Sequence, residues 1–244
     1  MKNNILFKAD SRGYADHGWL KSHHTFSFAN YRDNDRIHFG VLRVLNDDDI
    51  VAGMGFGTHP HNNMEIISIP LAGDLAHKDS MGNGTTIKHG DIQVMSAGTG
   101  IEHSEFNANN DKATELLQIW IFPDKVNVTP RYQQITLNPE DRKNTWEQVL
   151  SPNPDDKGVW IHQNAWFHMA DLEAGKELNY TLKDPTNGIF LFVIEGSITI
   201  DNQNLDRRDA LGFWEETAFS VKATTNTQLL VMEIPMELPS YLIN

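Results

Sequence analysis

Two short stretches carry residue types that can do chemistry together. His59-Pro60-His61 sets two imidazoles at i and i+2, and His103-Ser104-Glu105 sets an imidazole and a carboxylate at the same spacing. Side chains two apart on a β-strand point to one face, so each pair can present both of its groups to a single ion. One such pair is weak, because the chain's 11 histidines would give about half a pair by chance. A second pair changes the odds, and it follows the Gly-rich approach Ser96-Ala97-Gly98-Thr99-Gly100-Ile101. Three imidazoles and one carboxylate make a borderline donor set suited to Fe, Mn, Co, Ni or Zn. In an octahedral shell these ligands leave room for substrate and O2. The small residues from Ala97 to Gly100 either let backbone pass close to the metal or form an ordinary tight turn.

Composition narrows the chemistry further. With Cys 0 there is no disulfide, thiolate site or cysteine nucleophile, so any metal must be held by His, Asp or Glu. Lys and Arg number 20 against 33 Asp and Glu, a formal charge of −13. Such a chain lacks the basic stripe that neutralises phosphates, which excludes a direct nucleic-acid surface and disfavours acidic partners. The amino terminus MKNNILFKADSRG has no apolar signal-peptide core, and the apolar run 189–194 is far short of a membrane span. The expectation is a soluble, cytoplasmic protein without membrane association, folding around its own core.

The elements that must position the two pairs read as strands. Short β-rich runs at 38–45, 65–71, 115–122, 189–194, 197–201 and 228–234 are separated by Gly, Asn and Asp clusters, the pattern of an all-β sandwich or barrel. Met81-Gly82-Asn83-Gly84, Ala72-Gly73 and Glu195-Gly196 supply hairpin turns. Helical periodicity is rare; a short helix over 139–149, capped by Asn138, and a turn at the carboxyl end are expected. Pro123, Pro130, Pro139, Pro152 and Pro154 mark a connecting stretch and a domain boundary. The halves echo each other, Ile66 to Leu75 against Phe190 to Ile198 and Gly90-Asp91 against Arg208-Asp209, as two copies of one β-barrel would.

The run from Gly55 to Glu105 contains Gly55-Phe56-Gly57-Thr58-His59-Pro60-His61, Met64-Glu65-Ile66-Ile67, His77-Lys78-Asp79-Ser80-Met81-Gly82-Asn83 and Met95 through Glu105. Together with His24-Thr25-Phe26-Ser27-Phe28 and the Leu45-Asn46-Asp47-Asp48 turn, it resembles the pirin family of the cupin superfamily. The resemblance covers nearly all of the first half and, in the second, mainly the Glu195-Gly196 region. It implies a bicupin, two jelly-roll-type β-barrels packed face to face with a few short helices. Residues 1–130 would form the cupin domain that carries the metal, and 131–244 a cupin domain without one. His59, His61, His103 and Glu105 would be the ligands of one divalent transition metal, Fe(II) first, with Ni, Co, Mn or Zn as the other candidates.

The second half tests this internally. Shifting His59 and His61 by the offset of the glycine echo lands on Leu182 and Asp184, and the Asp91 offset carries His103 and Glu105 to Val221 and Ala223, so no ligand set survives there. His162 and His168 read as packing or surface residues. Many cupins take a carboxylate ligand just after the His pair, but pirins use the one after the third His; Glu65 is therefore expected to orient an imidazole through its free N–H. His77 and His89 stay evenly balanced between structural and functional roles. Asn62-Asn63 departs from the family, where a basic residue is common, and removes a charge from the pocket mouth.

Pirins resembling this chain open the flavonol ring of quercetin with O2 and release carbon monoxide. A divalent ion with one carboxylate carries a net charge of about +1, which a flavonol bound as its 3-oxyanion neutralises. Glu105 is the expected catalytic residue, accepting the hydroxyl proton. The substrates would then be a small aromatic flavonol and O2, and the chain a monomer. A different class of function uses the same ligands: an iron-binding, redox-sensing regulatory protein that docks a protein partner. A roomy pocket favours catalysis, and a flat patch beside the metal favours the partner. A sugar isomerase would want polar pocket walls, against which Phe26, Phe28, Phe39 and Phe56 argue mildly, although such aromatics are more often core.

Overall fold

The computed structural model describes residues 1–243, and strands dominate it. In the first half a seven-stranded antiparallel sheet runs in the order Arg131–Thr136, Asp91–Ser96, Glu65–Ala72, Thr114–Ile121, Leu42–Ile50, Leu20–His24 and Gly13–Asp16. A four-stranded sheet of Gly55–His61, Ile101–Asn107, Asp74–Asp79 and Gly84–Lys88 covers one of its faces. Leu75 and Ile87 of the small sheet meet Leu20, Ile50 and Leu116 of the large one in the apolar filling between them. The second half repeats the plan. Its large sheet is Asn3–Phe7, Ala210–Trp214, Asn187–Glu195, Thr227–Pro235, Trp166–Leu172, Glu147–Ser151 and Val159–Trp160. Its small sheet is Glu177–Thr181, Ala218–Ala223, Ile198–Ile200 and Gln203–Leu205. The class is all-β, as the alternation and turn residues indicate, with two sandwiches of unequal sheets.

The internal echo extends to backbone conformation. Gly73 and Gly196 both have positive φ, 70° and 82°, and so do Gly90 at 93° and its counterpart Arg208 at 67°. A Cβ on Gly73 would run into the Ala113 carbonyl, and one on Gly196 into that of Asn226, each just before the strand that opens with Thr114 or Thr227. Glycine is needed at these two turns for the φ and for the close approach alike.

The two large sheets lie back to back. Ile67, Ile69 and Ile119 of one and Phe190, Phe192 and Leu230 of the other belong to a single buried cluster. Phe190 sits in its midst, with ring centroids 5.2, 5.8 and 5.5 Å from Phe7, Phe26 and Phe39. The halves also exchange edge strands: Asn3–Phe7 pairs with Ala210–Trp214, and Arg131–Thr136 pairs with Asp91–Ser96. Division by chain order at 130/131 and division by hydrogen bonding thus differ by one strand in each direction.

The helix expected over 139–149 is a single 3-10 turn, Pro139–Arg142, with the Asn138 side chain accepting from the Glu140 amide at 3.3 Å. The chain then enters the strand Glu147–Ser151, because Val149 and Leu150 are drawn into the core between the sheets and the strand pairs with Trp166–Leu172. The expected carboxyl-terminal turn is a 3-10 turn at Ser240–Leu242. Among the described residues no helix is long and apolar enough to cross a membrane.

Candidate metal centre

The strands Gly55–His61 and Ile101–Asn107 pair antiparallel, with His103 opposite His59 and Ile101 opposite His61. A bulge between His103 and Glu105 then sets Glu105 opposite Phe56. On its other side Ile101–Asn107 pairs with Asp74–Asp79, placing Glu105 opposite His77 and His103 opposite Asp79. The two-residue spacing points both pairs into the first sandwich. Ring centroids of His59, His61 and His103 lie 4.4 to 4.9 Å apart, and one donor atom from each falls within 4.8 Å of the others. A second group of donors, His77, His103 and Glu105, meets the same limit, so the two share His103.

Hydrogen bonding decides which donor atoms are free. His59 Nδ1 lies 2.8 Å from the Gly57 carbonyl, which can only accept, so Nδ1 carries the proton and Nε2 keeps its lone pair. His103 is buried with neither ring nitrogen hydrogen-bonded, an orphaned pair that fits an ion better than it fits an apolar core. Burial, followed by the neighbouring charges of His59, His61 and His77, pushes the His103 imidazole far below its ordinary range. Burial and then His59 take His61 down to about 4, so both rings are neutral donors at physiological pH.

Glu105 is held from below. Gln118 Nε2 donates to Oε2 at 2.8 Å and the Ser68 hydroxyl donates to Oε1 at 3.2 Å. Burial raises its carboxyl to about 7 despite these bonds. Both donors belong to a polar row that crosses the large sheet in register, His24, Asn46, Gln118, Ser68 and Gln93.

A cavity of about 250 Å³ opens beside the cluster, with His59, His61, Glu105 and Gln118 on one side. Phe28, Phe56 and Trp120 supply apolar wall, and Asn46 and Asp48 a polar one. Phe26 and Phe39, grouped with Phe28 and Phe56 in the sequence, lie instead in the core between the large sheets.

Glu65 does not orient an imidazole. Its Oε2 accepts from the Ser96 hydroxyl at 2.7 Å, and the His162 amide and Arg131 also act on it. Alternation along Glu65–Ala72 is the reason: Ser68 points toward Glu105, whereas Glu65, Ile67 and Ile69 take the opposite face, toward the other half. The Gly-rich approach is a turn that packs on backbone, since Gly98 has φ 48° and a Cβ there would strike the Val128 carbonyl. His89 Nδ1 lies 3.3 Å from the Pro70 carbonyl, away from the cluster. His168 bonds Tyr180 at 3.1 Å and His162 packs on Trp160. In the second sandwich Leu178 stands opposite Val221 and Tyr180 opposite Phe219, where the first has His59 opposite His103 and His61 opposite Ile101. The counterparts of the two histidines are therefore Leu178 and Tyr180 rather than Leu182 and Asp184, and Val221 and Ala223 fill the interior there.

Sequence reasoning left His77 undecided and missed Asp48. His77 stands 5.4 Å from the His103 ring, with Nε2 3.3 Å from Asp79 Oδ2 and Nδ1 buried without a partner. Its place across from Glu105 depends on strand register, which no local spacing reveals. Asp48 accepts from the Ser22 hydroxyl, and burial takes its carboxyl up to about 7.

Comparison with known proteins gives the family. The pirin family model matches residues 7–121, and a model described as quercetinase C-terminal cupin domain matches residues 148–234. A quercetin 2,3-dioxygenase from Escherichia coli (strain K12) is 41% identical over 234 residues, spanning 94% of this chain and 98% of that protein. The chain belongs to the pirin family. A pirin-like protein from Caulobacter vibrioides is 36% identical over 92% of this chain and 96% of its own. Bacterial pirin YhhW from Escherichia coli, solved in complex with nickel(II), superposes with a TM-score of 0.90 at 40% identity, covering 95% of this chain and 99% of that one. The two sandwiches described above are therefore a pirin bicupin.

Proposed function

We propose that this pirin is a metal-dependent flavonol 2,3-dioxygenase, opening the ring of a quercetin-type substrate with O2 and releasing carbon monoxide. The observation that carries the reading is the open, aromatic-walled cavity against which His59, His61 and Glu105 stand. The 41% identity to a quercetin 2,3-dioxygenase over nearly the whole chain supports it. His59, His61, His103 and Glu105 would hold one divalent ion. Fe(II) is the first choice from the donor set, and the relative solved with nickel(II) keeps nickel beside it. When bound, the ion supplies positive charge for an anionic oxygen and, if redox-capable, a means of moving electron density toward O2.

The chain's own residues do the rest. Glu105, a carboxylate on the cavity wall, would take the proton of a flavonol hydroxyl. Ser68 and Gln118 fix the direction from which it does so. Phe28, Phe56 and Trp120 cover flat apolar rings and keep water from the reacting carbons. The metal-bearing unit would be residues 1–130 and the unit without metal 131–244, with one strand exchanged each way. The cavity favours catalysis over the reading as a redox-sensing partner protein.

The test is carbon monoxide release from quercetin under O2, using protein reconstituted anaerobically with Fe(II), beside His103→Ala. We expect release that the variant loses. No release from the iron, nickel, cobalt or manganese forms, each with stoichiometric metal, would overturn the dioxygenase reading.

A further inference from the structure

The space beside the cluster has a second lobe. A cavity of about 220 Å³ adjoins the metal-side cavity of about 250 Å³, and Phe28, Asn46, Asp48 and Phe56 line both. Small-molecule sites commonly occupy roughly 300–1,000 Å³, a range that neither lobe reaches alone and the two reach together. A ligand that fills the site must therefore pass the wall they share.

That wall carries two polar groups with unused capacity. Asn46 and Asp48 stand two apart on Leu42–Ile50, hence on one face, and are 3% and 4% exposed. Each is anchored through one atom. His24 Nδ1 lies 2.9 Å from Asn46 Oδ1, and the Ser22 hydroxyl donates to Asp48 Oδ1. Strand pairing sets these anchors, His24 opposite Asn46 and Ser22 opposite Asp48. Asn46 Nδ2 and Asp48 Oδ2 make no hydrogen bond with any other described residue. An amide donor and a carboxyl acceptor, side by side on the cavity wall and held through their other atoms, are both matched by one group that can donate and accept. A phenolic hydroxyl is such a group, and an aliphatic or bare aromatic surface is not.

We propose that Asn46 and Asp48 are a specificity-determining pair that selects polyhydroxylated aromatic substrates by binding a ring hydroxyl away from the metal. Asp48 Oδ2 accepts the hydroxyl hydrogen, and Asn46 Nδ2 donates to the same oxygen or to its neighbour in an ortho-diol. A site built to hydrogen-bond a hydroxyl rejects the analogue that lacks it, because its own polar groups are then left unpaired. The inference rests on the flavonol reading and adds to it which members of that class are preferred.

The test is calorimetric titration of metal-loaded protein, without O2, with quercetin and with 3-hydroxyflavone, which keeps the ring system and the 3-hydroxyl but no other hydroxyl. We expect the native protein to bind quercetin at least about tenfold more tightly, the discrimination of one buried hydrogen-bonded hydroxyl. In Asp48→Leu the ratio of the two dissociation constants should fall toward one, and Asn46→Leu gives the same readout should the first variant not fold. Native protein that binds both equally, or variants that keep the native ratio, would overturn the inference while leaving the dioxygenase reading intact. Native protein that binds neither flavonol would overturn that reading, and this one with it.

Discussion

His103 and Glu65 are buried polar side chains with opposite fates. His103 has both ring nitrogens enclosed without a partner, and ion binding would satisfy one of them. His103→Ala should therefore abolish stoichiometric metal uptake, measured as metal per chain after gel filtration, while changing metal-free stability by less than about 2 kcal/mol. Glu65 is satisfied by Ser96, yet burial lifts its carboxyl from 4.5 to about 7. The folded chain then holds the proton more tightly than the unfolded one between those values. Stability from this group is full below about 4.5 and falls as the pH rises through about 7, by about 2–3 kcal/mol. Glu65→Gln cannot titrate, so its stability relative to the native protein should improve by that amount between pH 5 and 8 in urea unfolding. Parallel pH profiles would rule out the shift. The i, i+2 spacing behind the close approach of His59, His61 and His103 was legible in the sequence because it is local. Glu65 was misread because its role depends on which face of the strand looks toward the other half.

At the scale of elements, the site depends on strand pairs and on the turns that end them. Regular pairing with Asp74–Asp79 sets Glu105 opposite His77, and a bulge against Gly55–His61 sets it opposite Phe56, two placements that i, i+2 counting does not contain. Turn glycines were easier to read. Gly73 and Gly196 occupy equivalent turns, each with positive φ and each pressed against a carbonyl. Gly73→Ala and Gly196→Ala should each destabilise by about 1–3 kcal/mol in thermal unfolding, since both strain the backbone and force a contact apart. A cost at one turn but not the other would break the equivalence of the two halves. The strands at 65–71 and 228–234 emerged within a residue or so of expectation, because apolar runs bounded by turn residues leave little choice. The helix over 139–149 shrank to one turn because sheet pairing claimed its second half.

At the scale of the whole molecule, one apolar cluster ties the halves together and each half lends the other a strand. Phe190, surrounded by Phe7, Phe26 and Phe39, is the side chain on which that contact turns. Phe190→Ala should cost about 3–5 kcal/mol of stability. It should also separate in denaturant the unfolding of the two sandwiches, which tryptophan fluorescence and metal release would otherwise report as one transition. Coincident transitions in the variant would show that the exchanged strands alone suffice for coupling.

Local pattern alone carried the all-β class, the duplication, the pirin resemblance and the i, i+2 spacing of His59 with His61 and of His103 with Glu105. All of these are written in short-range periodicity, in turn chemistry or in motifs of a few residues. Long-range packing fixed the rest: Glu65 faces away, His77 stands beside Glu105, strands cross between the halves, and Asn46 and Asp48 share a wall of the cavity. Each of those facts depends on the register of strands distant in the chain, and a slip of one residue would send every side chain to the opposite face.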